Sequence, residues 1–114
     1  MIRIRKKIIV PHRVRQVTGS FGFIPHRFMT EGFWASLGGN ELLLYLFLVM
    51  VADSNGLSYY GSKKICSLLH LSDEEYIDAR DRLIARDLIA FDDILFQVLE
   101  LPAEPVRHLP EKCC

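Results

Sequence analysis

The sequence has little of what disulfide-stabilised or membrane-spanning proteins need. It contains three cysteines, an odd number with Cys113 and Cys114 adjacent, which does not make a disulfide framework. Its longest apolar run, Leu42–Ala52, has 11 residues, whereas a helix needs about 20 to cross a bilayer. The first residues lack the apolar segment and the small-residue cleavage site of a secretory signal peptide. We therefore expect a cytoplasmic protein.

Motifs of enzymes and of metal sites are also missing. No Gly-x-Ser-x-Gly motif is present, and the glycines form neither a phosphate-binding loop nor a dinucleotide fingerprint. Cys66 and His70 have the spacing of two metal ligands on a helix, but no second pair of ligands has a useful spacing. Cys66 fits better as a small apolar residue of a helix face. The sequence therefore predicts a protein without catalytic activity, metal or cofactor.

Acidic residues are absent from the first thirty positions. Residues 1–30 hold seven Lys and Arg residues, for a net charge of +7, and residues 31–114 hold the other seven against all fourteen acids, for −7. This asymmetry predicts a basic arm for a polyanion on an acidic body. Such an arm can follow a phosphate backbone or enter a minor groove. The arm residues expected to contact nucleic acid are Arg3, Arg5, Lys6, Lys7, Arg13 and Arg15.

Two other roles remain open for the arm. It can be a solvated tail whose charges only aid solubility, or it can pair as a strand with its counterpart in a homodimer. Residues 1–17 alternate Ile and Arg at first and are rich in β-branched residues, which predicts a strand interrupted at Pro11. Half of the chain is hydrophobic, and this surplus of apolar surface favours a dimer or another partner.

Helical periodicity appears first after Pro25. The apolar residues of His26–Leu37 recur at helical spacing, which predicts a short helical element. Asn40 is a good N-cap for a helix over residues 41–52. Because that helix is apolar nearly all round, we expect it to be the central, buried helix.

Two further helices and a hairpin follow. Ser62 is predicted to cap the helix Lys63–Leu69. Ser72 and Glu75 have the spacing of a capping box, which begins a helix running to about Arg86. On that helix Tyr76, Ala79 and Leu83 share one apolar stripe, with Ile77 and Ile84 beside it. Period-two patterns predict short strands on both sides of these helices. The strands are expected at Leu57–Tyr60, Leu88–Phe91 and Ile94–Leu101, the last two joined at Asp92-Asp93.

Two motifs between Glu41 and Leu101 carry a family resemblance. They are ELLLYLFLVMVADSNGLSYYGSKKICSLLHLS and the later RLIARDLIAF. This region resembles the winged helix-turn-helix domains of bacterial transcription regulators and of plasmid or phage replication initiators. The resemblance implies a recognition helix over residues 73–86 and a hairpin wing, although winged helices also serve as protein-binding modules. More distantly, residues 8–29 are similar to small helix-turn-helix proteins of bacterial mobile elements.

The expected recognition helix departs from this family pattern. Asp87 stands where the family usually has Gly, and Asp is less readily accommodated at a left-handed cap. Five acids against Arg80, Arg82 and Arg86 give the helix a net charge of −2, and the wing tip is Asp92-Asp93. DNA carries one negative charge about every 1.7 Å along its axis, so this face should be repelled by DNA.

Candidate contacts outside the arm lie mainly at the start of the second helix. There a helix dipole, two lysines and a serine hydroxyl suit a phosphate group, and two preceding tyrosines can add hydroxyl contacts or stacking. The alternative is that one tyrosine belongs to the core and that the two lysines are exposed without a binding role. The candidates are Tyr59, Tyr60, Ser62, Lys63, Lys64 and, from the recognition helix, Arg82.

Together these features predict a mainly α (α+β) protein, a winged helix-turn-helix with a basic N-terminal arm or strand. We expect an arm over residues 1–27, a winged-helix domain over 28–101 and an irregular, Pro-containing tail over 102–114. The expected function is DNA binding, with DNA preferred to RNA, in a small regulator or accessory factor of transcription, replication or transposition, with a homodimer as one possible form. The alternative is a protein-interaction module whose acidic third helix binds a basic partner.

Overall fold

The computed structural model describes residues 7, 9–13 and 23–106. This part of the chain is α+β, with four α-helices and a three-stranded antiparallel sheet. The helices are α1 (Arg27–Thr30), α2 (Gly39–Val51), α3 (Ser62–Leu69) and α4 (Asp73–Ala85). The strands are β1 (Leu57–Ser58), β2 (Ile89–Phe91) and β3 (Phe96–Val98). Two 3₁₀ turns occupy Pro11–Arg13 and Trp34–Ser36.

The core forms where α2 packs against α4. In α4 the residues Tyr76, Ala79 and Leu83 are all buried, as the sequence predicted. Spacings of three and four residues place these side chains on one side of a helix. They meet Leu44 and Leu48 of α2, both fully buried. Burial of a leucine side chain contributes about 1.5–3 kcal/mol, so this interface organises the fold.

The sheet has the order β1-β3-β2, with β3 in the centre. Its strands are shorter than predicted. The antiparallel pairing covers two residue pairs between β1 and β3 and three between β2 and β3. Phe91 and Phe96 are cross-strand partners whose rings stack with centroids 4.4 Å apart. Phe96 is fully buried, so this pair fixes the hairpin against the helices.

The ends of α4 agree with the sequence prediction. The Ser72 hydroxyl accepts a hydrogen bond from the Glu75 amide at 3.1 Å, and the Glu75 carboxylate accepts one from the Ser72 amide at 2.8 Å. Both bonds of the predicted capping box are therefore present. At the other end Asp87 takes a φ of 62°, the left-handed conformation expected at this cap.

The two other predicted N-caps were wrong by one or two residues. Gly38 caps α2 and Asn40 lies inside it, while Gly61 caps α3 and Ser62 is its first residue. Neither start has a side-chain cap. At α2 the chain is still extended at Gly38 and the helix begins at Gly39, so Asn40 already lies in the first turn.

The single element predicted over His26–Leu37 is divided into two. Helix α1 ends at Thr30, the chain turns at Gly32 with a φ of 90°, and a 3₁₀ turn follows. Phe28 and Phe33, on either side of the break, are both buried, with ring centroids 6.2 Å apart. The break lets both aromatic side chains reach the core, which one short helix would not allow.

Two other predictions need correction in the described residues. Helix α2 is central but not buried all round, because Leu43, Leu46 and Met50 form an exposed stripe on the side away from α4. Ile9 and Val10 are not in a strand, although a 3₁₀ turn over Pro11–Arg13 does stand where the strand was predicted to be interrupted, because proline fixes φ near the helical value. The rest of the predicted N-terminal strand lies outside the described residues, apart from Lys7, Ile9 and Val10.

Candidate nucleic-acid interface

The start of α3 is an exposed basic site in the described part of the chain. Ser62, Lys63 and Lys64 are all exposed there. The first amides of a helix have no intrahelical acceptor, and here no side chain caps them. Together with the positive end of the helix dipole, these amides and the two ammonium groups can accommodate a phosphate group.

The two tyrosines before α3 have different surroundings. Tyr59 is 72% exposed and lies beside the start of α3. Tyr60 is half-buried, and its ring packs edge-on against Phe47 with centroids 5.2 Å apart. Tyr59 is therefore accessible to a ligand, whereas part of Tyr60 belongs to the core.

A cavity of about 440 Å³ opens between the start of α3, helix α4 and the hairpin. Its walls are largely aromatic, with one cationic and one acidic side chain. The lining residues are Tyr59, Tyr60, Gly61, Ser62, Tyr76, Arg80, Phe91, Asp93 and Ile94. Aromatic surfaces beside a basic helix start are the combination that nucleic-acid-binding proteins use to stack bases and hold phosphates.

Arg80 is held in this cavity by neighbours that the sequence analysis did not identify. Its guanidinium lies 5.1 Å from the ring centroid of Phe91 and 5.6 Å from that of Tyr76. It also donates hydrogen bonds of 3.2 and 3.1 Å to Asp81. The contact of Arg80 with Tyr76 could have been predicted, because residues four apart on a helix are neighbours. The contact with Phe91 depends on how the hairpin folds back.

The exposed side of α4 remains acidic in the folded chain. Arg82 donates to Asp78 at 3.0 Å and Arg80 pairs with Asp81, while Arg86, at the C-terminal cap, lies 3.5 Å from Glu41. All three arginines of this helix are thus already paired with carboxylates. Arg82, predicted as a nucleic-acid contact, is only half-exposed, and an intrahelical partner competes for it.

The hairpin turn uses one of its acids for its own structure. The Asp92 carboxylate accepts hydrogen bonds from the Leu95 amide at 2.9 Å and the Ile94 amide at 3.4 Å. Asp93 follows with a φ of 74°. Both acids are exposed, so the hairpin presents negative charge on the same side of the molecule as the cavity.

Three titratable groups near the interface have shifted pKa values. Hydrogen bonds from Ser72 lower the pKa of Glu75, and burial raises the pKa of Tyr76. Burial, followed by the nearby Asp73 carboxylate, raises the pKa of the Cys66 thiol, so that this cysteine is a weak nucleophile. In the described residues no three His, Cys, Asp or Glu side chains are grouped as metal ligands. None of the described helices has the length and hydrophobicity to span a membrane.

The basic residues of the first thirty positions have more than one role. Lys7 and Arg13 are exposed, and Arg3, Arg5, Lys6 and Arg15 lie outside the described residues. Arg27 is structural, because one of its nitrogen atoms donates to the carbonyls of Leu101 and Pro102, each at 2.7 Å, and the other to Glu31 at 2.9 Å. No local sequence pattern indicates this role, since Leu101 is 74 positions away.

No family model matches the chain, and neither a curated protein nor a solved structure matches it significantly.

Proposed function

We propose that this protein is a winged helix-turn-helix DNA-binding protein without catalytic activity. The order helix, strand, helix, helix and hairpin, with β3 between β1 and β2, supports this proposal. It acts in the cytoplasm as a small regulator or accessory factor of transcription, replication or transposition. DNA is preferred to RNA, because the helix-turn-helix and basic-arm combination suits duplex DNA.

The observation that carries this proposal is the exposed, uncapped start of α3 with Lys63 and Lys64. It lies beside the exposed Tyr59, whose hydroxyl can donate a hydrogen bond to a neighbouring phosphate. The arm residues of positions 1–15 add further phosphate contacts. Binding then depends mainly on the DNA backbone, which gives affinity with little sequence discrimination.

The acidic α4 has a limited role in this mode of binding. Its arginines are paired with carboxylates, and its net negative charge opposes entry into the major groove. The helix therefore supports the start of α3, through the packing of Tyr76 and Leu83, more than it reads base edges. We expect weak selectivity between unrelated duplexes.

The test is a salt titration of duplex binding with the Lys63→Ala, Lys64→Ala variant. Each neutralised phosphate contributes about 0.9 to the slope of log K against log[salt]. We expect the slope to become less negative by about 1.8, because two contacts are lost. The control variant Lys63→Arg, Lys64→Arg keeps both charges and should bind like the wild type. Wild-type affinity and slope in the alanine variant would refute this role of the helix start.

A second candidate function is favoured by the paired arginines of α4. With those arginines engaged, the exposed side of the helix presents acids together with Ile77 and Ile84, which are partly exposed. An acidic surface with apolar side chains suits a basic, partly apolar protein segment better than DNA. The fold would then serve as a protein-interaction module.

A further inference from the structure

One side of α4 is directed away from the core and stays partly exposed. We call it the α4 face, and it consists of Glu74, Ile77, Asp78, Asp81 and Ile84. At 100° per residue the three acids lie on the side opposite the buried stripe of Tyr76, Ala79 and Leu83, and the two isoleucines lie between the acids and that stripe. Ile77 is 45% and Ile84 is 40% exposed. The face therefore has an apolar edge, with carboxylates beside the two isoleucines.

The α4 face stays negative after its own ion pairs are counted. Asp78 and Asp81 pair with Arg82 and Arg80, yet the helix and its cap still carry a net charge of −2. Glu74 forms no ion pair within the described part of the chain. The exposed Asp87, Asp92 and Asp93 add three more negative charges after the end of the helix. A ligand of this face should be basic and should carry apolar side chains.

The chain itself contains a segment with this chemistry. Residues 1–13 hold five Lys and Arg residues and no acid, and their first five residues alternate Ile and Arg after the initial Met. Ile9 is 92% exposed and Lys7 is exposed, so these described arm residues do not cover the α4 face of their own chain. We infer that the arm of a second copy binds the α4 face, with arm isoleucines against Ile77 and Ile84 and arm cations beside the carboxylates.

This contact has a consequence for regulation. The same cations cannot neutralise phosphates and carboxylates at once, so self-association and binding of the arm to DNA compete. Only this competition rests on the proposed function. The contact between the arm and α4 requires no DNA, since the five cations of residues 1–13 attract the acidic residues 31–114, whose net charge is −7.

The experiment is sedimentation equilibrium of the full chain over a range of salt concentrations. We expect wild-type protein to self-associate at low salt and to dissociate as salt screens exposed charges. The variant Glu74→Lys, Asp78→Lys should weaken association at least tenfold, since two attractive contacts become repulsive. The matched control Glu104→Lys reverses an exposed acid outside α4 and should associate like the wild type. Circular dichroism verifies that each variant is folded.

A charge swap makes the test specific for the arm. Arg3→Glu, Arg5→Glu should also weaken association, and its combination with Glu74→Lys, Asp78→Lys should restore association to within about threefold of the wild type. Failure of the swap to restore it, an equal loss in Glu104→Lys, or a monomeric wild type at low salt would overturn the inference. If the wild type is monomeric but binds polylysine, and this binding depends on Glu74, the α4 face binds a different basic partner.

The outcome is separable from that of the proposed function. If association depends on salt and is restored by the charge swap, but the protein binds no duplex, DNA binding is rejected and the inference is kept. Duplex binding by a protein that stays monomeric would keep DNA binding and reject the inference.

Discussion

Single residues fix the start and the end of α4. Ser72 and Glu75 satisfy each other's backbone amides, and Asp87 takes the left-handed conformation in which glycine is more usual. These features depend on neighbours within a few positions, so both were predictable from the sequence. Arg80 lies between the two ends of α4 and lines the cavity, where Phe91 of the hairpin positions its guanidinium. No sequence pattern identified Arg80.

The variant Ser72→Ala tests the capping box. We expect it to lower the free energy of unfolding by about 1 kcal/mol, because the Glu75 amide loses its acceptor. The measurement is urea denaturation followed by circular dichroism. Ser67→Ala is the matched control, since Ser67 is exposed on α3, and it should unfold like the wild type. Equal stability of all three proteins would contradict the role of the cap.

The capping box also has a pH dependence whose sign follows from the lowered pKa of Glu75. A carboxyl group whose folded pKa is lowered contributes stability above its unfolded pKa, and the contribution is lost as the pH falls through the folded value. We expect wild-type stability to fall below the ordinary glutamate pKa, and the fall to be smaller in Ser72→Ala. Identical pH profiles for both proteins would assign the shift to the Ser72 backbone amide, which the alanine variant keeps, and not to the hydroxyl.

At the scale of elements, two arginines attach the C-terminal segment to the helices. Arg27 of α1 holds the carbonyls of Leu101 and Pro102, and Arg86, at the end of α4, donates to the Val106 carbonyl at 3.1 Å. Arg86 also pairs with Glu41 in α2. The described segment after β3 is irregular, although the strand was predicted to reach Leu101, and it is bonded to α1 and to the end of α4.

Removal of Arg86 should show the cost of an unpaired buried charge. The side chains of Arg86 and Glu41 are only 14% and 12% exposed, and at 3.5 Å they form no hydrogen bond with each other. We expect Arg86→Ala to lower the free energy of unfolding by about 3 kcal/mol, since Glu41 stays buried without its counterion. Denaturant unfolding measures this value.

The double variant Glu41→Met, Arg86→Met is the control for that experiment. It removes both charges and keeps much of the volume, so it should recover most of the lost stability. Recovery would identify the buried charge as the cause of the loss in Arg86→Ala. A double variant as unstable as Arg86→Ala would instead assign the loss to packing or to the bond with Val106.

At the scale of the whole molecule, the charge asymmetry and the proposed function together predict that a polyanion contacts the basic arm. A variant with four glutamines in the arm removes four positive charges and leaves Arg27 in its structural role. Its substitutions are Arg3→Gln, Arg5→Gln, Lys6→Gln and Lys7→Gln. We expect the salt slope of duplex binding to become less negative by about 3 to 4, because each phosphate contact contributes about 0.9. An unchanged slope would exclude the arm from the interface.

The sequence by itself determined the features that depend on near neighbours or on composition. These are the order of helices and strands, the capping box, the buried stripe of α4 and the separation of charge between arm and body. Each follows from periodicity, local hydrogen bonding or counting. The α+β character of the chain followed from them, because the short period-two segments lie on either side of the two helices.

Only the tertiary structure decided which residues face each other over long distances in the chain. It placed Arg27 on the carbonyls of Leu101 and Pro102, Arg86 on Glu41, and Arg80 between Tyr76 and Phe91. It also exposed one side of α2, although its sequence is apolar nearly all round. The physical reason is that burial and ion pairing depend on how the elements pack, and a pattern within one element does not contain its neighbours.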